Sequence, residues 1–81
     1  MTEYTYDVDY YLLRTGSEKA IMAHETFDNY PDAMNCYKQF KSAISAELTH
    51  GELVNWFVML ARVYMKGQYR RNETLKSEGT I

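Results

Sequence analysis

Cysteine occurs once in this chain, at Cys36, which excludes an internal disulfide framework and the small folds that depend on one. Proline also occurs once, at Pro31, so there is no proline-rich recognition segment and no stiff linker. Four scattered glycines cannot form a phosphate-cradling loop. No apolar run approaches the roughly 20 residues needed to cross a bilayer. The opening MTEYTYDVDYY is acidic and polar and lacks the basic stretch and apolar run of a signal peptide, so a cytoplasmic location with no membrane association is expected. Soft metal ligands are equally sparse. His24, Cys36 and His50 come from three separate segments with no CxxC, HxxxH or HExxH spacing, so neither a metal nor a cofactor is expected.

What the chain does contain is aromatic and apolar. Of 81 residues 46% are hydrophobic and 15% aromatic, enough for a packed core, and eight of the aromatics are tyrosines. Tyrosine can bury its ring while its hydroxyl stays wet, which suits a rim or an interface. The length allows one small domain, placed at residues 1–75 with a frayed tail at 76–81. A core of this size is often marginal alone, so self-association or a protein partner is expected. The net charge of −2 hides a polarity: residues 1–32 carry seven acids against two bases, and residues 33–81 carry seven bases against four acids.

The patterning predicts an α+β fold. In residues 4–14 the even positions read Tyr, Tyr, Val, Tyr, Leu against Thr5, Asp7 and Asp9, an alternation that predicts a half-buried strand. Thr15-Gly16-Ser17 supplies a turn, and residues 19–27 return as a second strand. Asp28, Asn29 and Tyr30 lead to Pro31 at the first helical position, with Asp32 favoured by the helix dipole. Residues 31–48 then place Ala33, Tyr37, Phe40, Ile44 and Leu48 on one helical stripe, with Gly51 just beyond as a cap. Residues 53–65 (LVNWFVMLARVYM) are β-branched, aromatic and almost continuously apolar, which predicts a central strand; Lys66-Gly67-Gln68 turns into an edge strand over residues 69–75. The result is ββαββ. The alternative is ββαα with residues 50–66 helical, because Thr49-His50-Gly51-Glu52 has capping-box spacing and Glu52, Asn55, Arg62 and Lys66 fall on one helical stripe.

No catalytic motif emerges. Asp7 and Asp9 point to one side of their strand, but no third acid or phosphate loop accompanies them, so they read as its wet face. Cys36 adjoins the apolar stripe of its helix, where a thiol behaves as a small hydrophobe. The chain is expected not to be an enzyme and to have no small-molecule substrate. The apolar excess at residues 56–65 carries more meaning. One helix covers only one face of a sheet, so either the Trp56/Val58/Leu60 set or the Phe57/Met59/Val63 set needs a second cover. Tyr10, Tyr11, Trp56, Phe57, Met59 and Tyr64 are the candidate protein-interface residues. Lys66, Arg70, Arg71 and Lys76, interleaved with Tyr64 and Tyr69, are candidate nucleic-acid contacts, although Glu73 and Glu78 among them equally describe a solvated edge strand.

The succession of hairpin (YTYDVDYYLLRTGSEKAIMAHETF), helix (NYPDAMNCYKQFKSAISAEL) and closing strands (FVMLARVYMKGQYRRNETL) resembles the layout of short accessory proteins of phages and mobile elements, anti-CRISPR inhibitors among them. The resemblance lies in organisation, covers most of the chain and carries over no functional residue. It implies a small, intracellular, non-enzymatic protein that acts by occupying a surface of a larger host protein; the expectation of a homodimer comes from the sheet face in need of a cover and not from the resemblance. A charge of −2 departs from the strongly acidic members that imitate DNA. The leading expectation is therefore a protein-interaction module, and the alternative is a small nucleic-acid-binding regulator.

Overall fold

In a computed structural model, which describes residues 4–49, 51 and 53–80, the chain runs β1 (Thr5–Arg14), β2 (Ile21–Phe27), α1 (Tyr30–Thr49), β3 (Leu53–Lys66) and β4 (Tyr69–Gly79). The strands form one antiparallel sheet in the order β2-β1-β3-β4, so two sequence-local hairpins meet along a β1–β3 seam. This is the expected ββαββ arrangement. Residues 53–65 are strand and not helix; the capping-box motif drawn through His50 and Glu52 lies outside the described residues.

Helix α1 covers one face. Val8, Ala33, Tyr37, Ile44, Val58 and Leu60 make the buried centre, and Tyr10, Phe40, Leu53 and Trp56 pack around it. In the strands these are the alternate positions of one side, as the pleat requires. The helix starts one residue before its expected first position. Asn29 caps it: its Oδ1 accepts the Asp32 N–H at 3.0 Å and its side-chain amide donates back to Asp32 at 2.9 Å. Pro31 therefore occupies the second helical position, where its missing N–H is still no loss. At the other end the Gly51 N–H donates to the Leu48 carbonyl. The helix is tied to β4 through Glu78, which accepts from the Tyr37 hydroxyl at 3.1 Å and from Lys41 at 3.0 Å. Burial and the Glu78 carboxylate together push the Tyr37 phenol up to about 12.

Two departures from the sequence reading concern the ends of strands. The second strand begins at Ile21 and not at residue 19, because Ser17 folds back on Lys19 through its hydroxyl. The tail expected to fray from Lys76 instead continues β4 to Gly79. The Thr80 N–H donates to the Trp56 carbonyl at 2.9 Å, and the Thr80 hydroxyl accepts the Trp56 N–H at 3.0 Å. Gly79 allows this closure, since a β-carbon there would lie against the Trp56 carbonyl and 2.7 Å from Phe57 Cα. Register shifts at Leu13/Arg14 and Leu60/Ala61 leave Val54 and Leu75 as the extra, exposed residues of two bulges.

Candidate functional site: the uncovered face of the sheet

Covering the Trp56/Val58/Leu60 side leaves the Phe57/Met59 side facing outward. No element among the described residues lies over it. Tyr11 and Phe57 are directly opposite across the seam and their rings stack, centroids 5.5 Å apart and 9° from parallel. Met59 follows on β3, and Met22, 72% exposed, stands beside Tyr11 on β2. Phe57 and Met59 form a ridge between two grooves. One, of about 400 Å³, is lined by Asp9, Tyr11, Met22 and His24, with Phe57 and Met59 as its inner wall. The other, of about 310 Å³, lies toward β4 against Ser77, Glu78 and Gly79. The absent side chain at Gly79 leaves that flank of Phe57 open.

The same face becomes polar toward the middle of β1. Asp9 and His24 are cross-strand partners, with Nδ1 of the ring 2.6 Å from the Asp9 carboxylate. The other ring nitrogen is 3.3 Å from the Thr26 hydroxyl, which donates to Asp7 at 3.0 Å; Arg70 reaches the second Asp7 oxygen at 3.4 Å. The hydrogen bond that the ring donates to Asp9 raises the His24 pKa above its ordinary 6.5, against a smaller opposing effect of burial. Asp7, read from sequence as part of a wet face, is only 7% exposed because Thr26, Arg70 and the neighbouring strands enclose it. Carboxylate, imidazole and hydroxyl follow in the order of a nucleophile-activating relay. The Thr26 hydroxyl, however, lies closer to the Asp7 carboxylate, at 3.0 Å, than to the imidazole, at 3.3 Å. Among the described residues no three His, Cys, Asp or Glu side chains are placed to hold a metal ion.

No family model, curated protein or solved structure matches the chain.

The structure divides the six interface candidates. Tyr11, Phe57 and Met59 lie together on the uncovered face. Tyr10 and Trp56 do not; they point under the helix, where Tyr10 packs on Phe40 with ring centroids 5.0 Å apart. Tyr64 is elsewhere again, edge-on to Tyr4 at 5.5 Å. Of the basic candidates, Lys66, Arg70 and Arg71 share the end of the β3–β4 hairpin, whereas Lys76, on the same side of the sheet as Lys66 and Arg71, sits farther along β4 beneath the helix, 6.0 Å from the Tyr37 ring. Met22 was missed. It follows Ile21 in an exposed edge strand, and only the cross-strand register, invisible in a linear reading, brings it beside Tyr11. Cys36 lines a separate groove between α1 and β2, and burial raises its thiol pKa. No helix among the described residues is long and apolar enough to cross a membrane.

Proposed function

We propose that this protein is a non-enzymatic protein-interaction module whose binding surface is the uncovered sheet face around Tyr11, Met22, Phe57 and Met59. The carrying observation is the stacked Tyr11–Phe57 pair, continuous with the exposed Met22 and the half-buried Met59 and flanked by grooves on both sides. Aromatic and methionine side chains are enriched at the centres of protein interfaces, and methionine adapts its shape to the surface it meets. The closer contact of the Thr26 hydroxyl with Asp7 than with His24 supports a binding role for this face over nucleophilic chemistry. The finer reading, an accessory or inhibitor protein of the phage type bound to a larger host protein in the cytoplasm, rests on the resemblance in layout alone. A second copy of the chain is the other protein that this face fits.

Affinity capture with the wild-type protein and the Met22→Asp and Tyr11→Ala variants tests the reading, with circular dichroism to confirm that all three fold. Proteins retained by wild type and lost by both variants are the expected result. Equal recovery on all three baits would overturn it. Light scattering on the same samples separates self-association, lost in Met22→Asp, from binding to another protein.

A further inference from the structure

Beyond Val63, the partner of Thr5, β3 and β4 pair only with each other. The result is a two-stranded ribbon that lengthens the molecule to 47 Å along an axis where the other dimensions are 23 and 15 Å. Lys66 and Tyr69 close it around Gly67-Gln68. Gly67 has φ 63° at the first central position while Gln68 keeps a negative φ, the pattern of a II′ hairpin turn. Cross-strand pairing puts Tyr64 opposite Arg71 and Lys66 opposite Tyr69, all on one side of the ribbon, so rings and cations alternate in both directions. The base is braced: Tyr4 meets Tyr64 edge-on, Arg62 lies 4.7 Å over the Tyr4 ring, and Arg62 is ion-paired with Glu73. The tip is open. Tyr69 is 70% exposed with Arg71 beside its ring at 6.0 Å, and Lys66 and Arg71 have no carboxylate partner among the described residues. Arg70, on the reverse side, keeps 64% of its side chain exposed despite its contact with Asp7.

Charge sharpens the contrast. Residues 62–73 hold four cations and one carboxylate, net +3, and the remaining residues hold five cations and ten carboxylates, net −5. A polyanion is repelled by the body and attracted by the ribbon alone. We infer that the ribbon is a second binding site, separate from the sheet face, for single-stranded nucleic acid. Lys66, Arg70 and Arg71 contact phosphates and Tyr69 stacks on an unpaired base. The exposed ring favours a single strand, since bases within a duplex have no free π-face to offer. Lys76 has no part in it.

Fluorescence anisotropy with a labelled single-stranded oligonucleotide, the matching duplex and polyglutamate tests this, with salt titrated from low ionic strength. Three phosphate contacts predict a slope of log K against log salt of about −2 for a single strand. Lys66→Gln combined with Arg71→Gln reduces its magnitude by about 1.4. Tyr69→Ala weakens binding about tenfold, while Tyr69→Phe, which keeps the ring, stays within about twofold of wild type. Met22→Asp binds as wild type, so failure here leaves the sheet-face reading standing. Absence of salt-sensitive binding, polyglutamate or duplex binding as tight as the single strand, or a neutral Tyr69→Ala would each overturn the proposal.

Discussion

His24 shows how one contact sets the behaviour of a residue. When its ring is protonated, Nδ1–H donates to Asp9 and Nε2–H donates to the Thr26 hydroxyl, which donates onward to Asp7. Every member then has an acceptor, so the charged ring is the better partner and its pKa rises. The charged ring thereby contributes to stability. This contribution is complete below the unfolded histidine value near 6.5 and is lost as pH climbs through the higher folded value. Asp9→Asn removes the main cause, so the His24 ring resonance, followed by NMR, is expected to titrate closer to 6.5. The decline in urea midpoint across that window should flatten in the same variant. An unchanged titration would mean that Asp9 does not set the ring's charge. Thr26→Val keeps the shape of the strand but takes a donor from a nearly buried carboxylate. A loss of about 1–2 kcal/mol in urea unfolding is expected.

At the scale of elements, the sequence was most informative where polarity alternates and least where it does not. Tyr6, Val8, Tyr10 and Leu12 against Thr5, Asp7 and Asp9 made β1 readable with its correct faces. Residues 53–65 gave no such signal, since Trp56 to Leu60 are apolar on both sides of the strand; pairing with β1 and β4 makes them a strand. The end of β4 was illegible for another reason. Lys76, Ser77, Glu78, Gly79 and Thr80 have no apolar pattern, and what holds them is backbone pairing at Trp56, made close by Gly79. Gly79→Ala is accordingly expected to cost about 1–3 kcal/mol through the clash with Trp56 and Phe57. Faster amide exchange of Trp56, whose N–H is held by Thr80, should accompany it, with the β1–β2 amides unaffected.

For the molecule as a whole, the sequence raised the need of a second cover for the sheet but did not say which face would need it. Tyr10 and Tyr11 are adjacent, as are Trp56 and Phe57, so both faces of the seam present an aromatic pair. Where α1 lands decides which pair becomes core and which becomes surface. The ribbon was readable as a basic, tyrosine-bearing stretch. That Lys76 is engaged under the helix, away from the ribbon tip, was not, because its contact with Tyr37 depends on where α1 lies. The anionic body and cationic arm follow from the fold placing residues 62–73 at one end; splitting the chain after residue 32 gives the same net −5 and +3 but spreads the positive charge over 49 residues.

The β1–β3 seam also has a consequence in time. Each hairpin can close locally within microseconds, but Val8 meets Leu60 and Tyr10 meets Val58 only after a chain of about 50 residues is brought round. That closure holds the two halves together and sets the pace of folding. Val8→Ala and Val58→Ala, each removing a fully buried side chain from the seam, should slow refolding more than they speed unfolding in stopped-flow urea jumps. The opposite partition would place the seam after the barrier. Until it closes, the hairpins are two half-sheets with bare inner edges, and it is in this interval that the chain is most exposed to pairing with another copy of itself.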